Sequence, residues 1–205
     1  MTTIEKLLAT PGMQLLTGIL LSALWLLFAA AHVSTYGTSG KASLVMFAIA
    51  ETVIAVLFLI RSPARTLSAK PMEWIVAIAA TFLPLLLRPT AEAAPVAEWG
   101  LILGSALQIA GVLSLNRSLA LVPALRTLKT TGMYRFIRHP IYFSYLITFS
   151  CYLAANFTPL NLAILLASFS LLVARIYFEE RHLRQTAEYR SYQDRVRWRL
   201  IPFVF

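Results

Sequence analysis

Residues 140–178 read PIYFSYLITFSCYLAANFTPLNLAILLASFSLLVARIYF. Two apolar runs, 140–156 and 159–178, are separated only by Asn156, Phe157 and Thr158 before Pro159. Such a join is too short for anything but a tight helical hairpin. Each run approaches the ~20 residues that carry a helix across a bilayer. In lipid an isolated strand leaves its backbone unsatisfied, so both runs read as helices. Outward from this hairpin, further apolar segments lie at about 13–33, 42–60, 72–88 and 96–115. The expectation is an all-α, polytopic transmembrane helical bundle of five or six spans. The number turns on the third segment, which is short and contains Pro84, and on the tight join between the fifth and sixth. Residues 88–95, RPTAEAAP, form a turn whose prolines mark a break.

Composition agrees. Of the 205 residues 59% are hydrophobic and only 13% charged, which excludes an ordinary soluble domain. Cys151 is the only cysteine and sits inside an apolar run, so there is no disulfide framework and the residue reads as packing rather than as a nucleophile. The start, MTTIEKLLATPGMQ, lacks a basic n-region and a nearby small-residue cleavage site, so the first hydrophobic segment is expected to remain as a span. A net charge of +9 could suggest nucleic acid, but the cations occupy alternate loops. Arg61, Arg65 and Lys70 fall in one, Arg117, Arg126, Lys129, Arg135 and Arg138 in another, and six arginines follow the last span. The opposite side keeps only Lys41 and Arg88. By the positive-inside rule, six spans put both termini in the cytoplasm. The short, Ala- and Leu-rich character fits a prokaryotic inner membrane.

Inside the spans Glu51 is the one acid well away from an interface. It is either a functional group or a protonated carboxyl bonded to a neighbouring helix. His32 and Trp25, at the end of the first span, read as interfacial anchors.

Chemistry concentrates near the C-terminus. Residues 116–139 form a structured basic loop leading into a helix that starts at Pro140, where a proline lacks no useful N–H. The free amides and positive dipole end of that helix, flanked by Arg138 and His139, suit a carboxylate or phosphate. On the last span Arg175 and Glu179 are four residues apart and share one face. Glu179 and Glu180 end that span at the depth where the helix of Pro140 begins. The hairpin therefore brings donors from one helix against acceptors from the other. Read on residues alone, the arrangement is either a zwitterion-binding pocket or a set of interfacial salt bridges.

The run Gly132, Tyr134, Arg138, His139, Pro140, Tyr142, then Arg175, Glu179, Glu180, Leu183, then Tyr189, Tyr192 and Arg199 to Pro202, resembles the isoprenylcysteine carboxyl methyltransferase family, membrane enzymes related to the phospholipid methyltransferases. The resemblance covers roughly residues 100–205, which divides the chain into 1–95, spans without a matching motif, and 96–205, a catalytic region. It implies an S-adenosylmethionine-dependent transferase whose cytoplasmic C-terminal tail closes a cofactor pocket. Tyr134, His139, Pro140, Ile141, Tyr142 and Glu179 look like cofactor contacts, with the backbone of Arg126, Thr127, Leu128 and Lys129 bordering the pocket. Arg175 looks like the residue facing the methyl acceptor, and no metal is implied. A carboxylate acceptor needs no base, whereas an amine or thiol must lose a proton, for which Glu180 or His182 are the nearby groups. Two departures bear on substrate identity. Ser144 stands where glycine is common, and VRWRLIP lacks a usual proline and carries Trp198.

The expected partner is a lipophilic small molecule or lipidated substrate entering from the bilayer, with no nucleic acid. The acceptor most resembled is an isoprenylcysteine-type carboxylate, with a phospholipid amine or small thiol as alternatives. A non-catalytic protein that docks lipid headgroups or a partner through its basic surface is the reading from another class. A transporter has little to build on, since the sequence shows no inverted repeat.

Overall fold

The computed structural model describes residues 7–8, 10–90 and 95–205. Expectations for 1–6, and for 91–94 within the turn, lie outside these residues. Seven α-helices are described: α1 (Pro11–Ser39), α2 (Ala42–Ile60), α3 (Pro71–Phe82), α4 (Pro95–Leu115), α5 (Pro140–Ala155), α6 (Pro159–Leu183) and α7 (Ala187–Arg195). Five of these open on proline, whose fixed φ and missing N–H cost nothing at a first helical position. Glycine closes α1, with Gly40 in the left-handed region at φ 64°.

All six expected apolar segments are helical, but they are not equivalent. Four helices, Pro11–Ser39, Ala42–Ile60, Ala97–Ser118 and Pro159–Leu183, are long and apolar enough to cross a membrane. The other two, Pro71–Leu86 and Pro140–Ala155, are shorter. The third segment ends early because Pro84 cannot continue the α-helical ladder and turns Leu83–Leu86 into a 3-10 helix. With 16 residues, α5 rises only about 24 Å.

The helices pack in the spatial order α1, α2, α4, α5, α6, α3. The α4–α5 contact is close because α4 presents glycines: a Cβ at Gly104 would collide with Thr148, and one at Gly111 would lie 3.0 Å from Ile141 Cγ1. At the end where α5 turns into α6, Asn161 Nδ2 donates to the carbonyls of Arg88 (2.8 Å) and Asn156 (2.7 Å), and the Arg88 amide donates to Asn161 Oδ1 at 3.0 Å. This buried amide side chain has both its donor and acceptor groups engaged. Beside it, Glu98 of α4 accepts from the Ser43 amide at 2.7 Å and its hydroxyl at 2.9 Å, covering the start of α2.

At the other end the two basic loops meet. A two-residue antiparallel ladder, β1 (Thr66–Leu67) with β2 (Ala124–Leu125), pairs Thr66 with Leu125 and Leu67 with Ala124. It is extended by the Arg65 amide to the Leu125 carbonyl (2.8 Å) and the Ser68 amide to the Pro123 carbonyl (3.0 Å). This is the one departure from an all-helical fold among the described residues. Its effect is to fasten the segment Leu119–Arg126 as a strap beneath the helix ends. Arg181 of α6 donates to Glu73 of α3 across 2.6 Å, so α3 is tied to the hairpin at the same level.

Candidate active site

The strap, the start of α5, the end of α6 and α7 enclose a cavity with about 1060 Å³ of empty space including its mouth. Its size is that of a small-molecule site. Of the expected contacts, Arg126, Thr127, Leu128, Lys129, Tyr134, His139, Ile141, Tyr142, Arg175 and Glu179 all line it. Three expected residues do not. Pro140 is buried as the first residue of α5 and positions its neighbours. His182 faces the β1 loop, 3.0 Å from Thr66 Oγ1. Glu180 points into a separate polar cluster.

The floor is the start of α5. The first helical bond runs from the Phe143 amide to the His139 carbonyl at 3.0 Å, so the amides of Ile141 and Tyr142 precede the ladder and have no intrahelical acceptor. Arg138, whose guanidinium carries a positive charge, and His139 line the cavity beside these amides. Gly132, at φ 61°, lets the preceding loop turn against Ser114, whose hydroxyl accepts from the Met133 amide at 3.2 Å. That turn carries Tyr134 into the wall. Burial, then the nearby Glu179 carboxylate, raises the Tyr134 phenol above its ordinary range, so the group stays neutral.

Two side chains from α6 face this floor. Glu179 accepts from the Tyr142 hydroxyl at 2.6 Å. Arg175 is buried and donates to Thr81 Oγ1 (3.0 Å) and the Leu121 carbonyl (2.7 Å), joining α6 to α3 and to the strap. Its guanidinium lies 5.3 Å from the Tyr142 ring centroid, and His139 stacks on the same ring at 5.3 Å and 9°. A guanidinium has five N–H donors, so those two bonds leave others for a ligand.

Glu180 holds the cavity from behind. It is 2% exposed and accepts from Arg138 Nε (2.7 Å), Arg199 Nε (3.1 Å), Arg184 Nη2 (3.3 Å) and Gln193 Nε2 (3.2 Å), with His139 Nε2 at 3.2 Å. One carboxylate thus joins the start of α5, the end of α6, α7 and the terminal segment. The Arg138 and His139 amides also donate to the Trp198 and Arg199 carbonyls, each at 2.9 Å. A carboxylate so fully engaged has little left to take a substrate proton, and it is absent from the cavity wall.

Reading the residues did not reach the rest of the lining. Leu119, Leu121 and Leu125 form an apolar face, and Tyr145, Leu183, Thr186, Tyr189 and Tyr192 add to the wall. Tyr145 had a visible signal, three residues after Tyr142 on the same helical face. Tyr189 and Tyr192 stood in a motif but carried no assigned role. In the structure Tyr192 donates to the Tyr134 carbonyl at 2.6 Å.

Against known proteins, residues 99–190 match the family model described as phospholipid methyltransferase. No curated protein matches the chain.

Proposed function

We propose that this chain, whose residues 99–190 match the phospholipid methyltransferase family model, transfers a methyl group from S-adenosylmethionine to a lipophilic acceptor. The family match is consistent with the isoprenylcysteine-type resemblance in the motifs and extends it to the wider superfamily. The observation that carries the reading is the cavity, where the start of α5 meets Glu179 and Arg175.

The donor set suits that cofactor. Its carboxylate matches the Ile141 and Tyr142 amides with His139 and Arg138 beside them. Glu179 is placed to accept from an amino group or ribose hydroxyls. The apolar strap offers a face for a base, and Tyr134 an aromatic surface near a cation, since the Tyr142 ring is already engaged by Arg175 and His139. The bound cofactor supplies a methyl group on a sulfonium. The protein's part is to orient the acceptor for an in-line displacement and to exclude water.

Arg175 is assigned to the acceptor. Glu179, the one acid in the lining among the described residues, is bonded to Tyr142, and the two nearby groups able to act as bases, Glu180 and His182, lie outside the wall. A carboxylate acceptor, which needs no base and pairs with a guanidinium, fits this arrangement. A phospholipid amine is the second reading, favoured by the family match. Glu180 is assigned a positioning role. The test is transfer of labelled methyl from S-adenosylmethionine by the detergent-purified chain to an isoprenylated cysteine and to phosphatidylethanolamine. Transfer to one acceptor selects between them, and no transfer or cofactor binding by folded protein overturns the proposal.

A further inference from the structure

The strap has a second side. Ala120, Leu121, Val122 and Arg126 also line another cavity, of about 720 Å³ empty space with its mouth, completed by Leu8, Gln14, Thr17, Leu20 and Leu21 near the start of α1, by Arg61 and Leu67, and by Trp74 of α3. Its apolar walls are ordinary for a bundle, but its charges are not. Arg61 and Arg126 both face it, and among the described residues neither is ion-paired with a carboxylate. Arg61 donates to Thr17 Oγ1 (2.5 Å) and the Gln14 carbonyl (3.0 Å), and Arg126 to the Ser62 carbonyl. The Nε of each is buried with no acceptor. The like charges sense each other: burial, then Arg61, lowers the Arg126 guanidinium to about 10.

A buried guanidinium, Arg126, beside a half-buried one, Arg61, with no anion between them is costly unless something compensates the charges. Carbonyls and a hydroxyl supply acceptors but no opposing charge. The cavity lies where α1 begins and α2 ends, on the side of the basic loops, the side on which cationic loops meet lipid headgroups. Leu20 and Leu21 lead from it along α1, and Leu20 is exposed.

We propose that this second cavity binds a phosphate-type anion carried by a membrane amphiphile, its phosphate between Arg61 and Arg126 and its acyl part along Leu20 and Leu21. The site stands apart from the methyl-transfer reading and does not need it. It adjoins that reading structurally, because the Leu121 carbonyl in the shared wall holds Arg175 on the other side.

The test is calorimetric titration of the detergent-purified full chain with dioctanoyl phosphatidic acid, with dioctanoylglycerol, which lacks the phosphate, and with inorganic phosphate. Saturable binding of phosphatidic acid, at least ~10-fold tighter than the other two, is expected from loss of one charge-assisted contact. Arg61→Gln is expected to remove that preference while retaining S-adenosylmethionine binding. Should Arg61→Gln fail to fold, Leu20→Trp blocks the apolar arm at an exposed position and is expected to weaken phosphatidic acid alone. Equal binding of dioctanoylglycerol, or no effect of either variant in folded protein, overturns the site. Equal binding of inorganic phosphate overturns the lipid and leaves a free anion. Failure of S-adenosylmethionine to bind wild-type protein counts against the methyltransferase reading only.

Discussion

Tyr142 and Glu179 meet across 2.6 Å, phenol to carboxylate, at the point where α5 starts and α6 ends. The bond orients the carboxylate in the cavity without cancelling its charge. Glu179→Ala is therefore expected to lower S-adenosylmethionine affinity by at least ~10-fold, the scale of a lost hydrogen bond to a charged group. Tyr142→Phe, which keeps the ring beneath Arg175, is expected to cost only a few-fold. Calorimetry on the two variants checks both, and an undiminished affinity in Glu179→Ala would remove Glu179 from the site.

Glu180 behaves differently because its partners are protein groups. Glu180→Ala strands Arg138 and His139 in a buried position and is expected to destabilise the fold by about 3–5 kcal/mol, as when one partner of a buried ion pair is removed. The readout is the melting temperature in detergent. A Glu180→Ala protein that melts like wild type but has lost activity would restore a direct chemical role.

Arg175 divides the two acceptor readings. Arg175→Lys keeps the charge but loses the planar fork. With a carboxylate acceptor it is expected to raise KM for that acceptor by ~10-fold or more, while S-adenosylmethionine affinity moves little. An unchanged acceptor KM would argue for an amine acceptor held elsewhere.

Alkaline pH offers a further check. Tyr134, Tyr189 and Tyr192, all outside the spans, have phenols raised above their ordinary range, burial being the main cause in each. Nearby carboxylates add to it: Glu179 at Tyr134, Glu180 and then Glu179 at Tyr189, and Glu180 at Tyr192, where Arg138 opposes. Such groups stabilise the fold fully below the unfolded value near ~10 and lose that contribution as pH rises toward the folded values. The melting temperature is expected to fall above about pH 10, with the share of tyrosinate absorbance that belongs to these three groups appearing on unfolding rather than before it. Tyr189→Phe is expected to flatten the decline.

The helices were legible because apolar runs and five helix-opening prolines mark them, and the floor of the cavity because RHP announces a charged helix start. The two shorter helices were legible as apolar segments, one ended by Pro84 and the other at the Asn156–Pro159 join, but the way Asn156 bonds back to the Tyr152 and Leu153 carbonyls was not. The strap escaped notice because Leu119–Leu125 resembles any apolar segment, and only pairing with Thr66 and Leu67, some sixty residues earlier, gives it a place. Adjacent glutamates also look interchangeable in sequence. One step of about 100° around a helix sends Glu179 to the cavity and Glu180 to the cluster behind it.

The Thr81 hydroxyl that holds Arg175 belongs to α3, in the half of the chain without a recognisable motif. Heredity and folding thus draw their borders in different places here. A gene fragment starting near residue 96 would keep nearly every inherited signature yet be expressed without the Thr81 prop for Arg175, the β1 backing of the strap and the Glu73 mate of Arg181. Swapping C-terminal halves among relatives therefore calls for carrying α3 along.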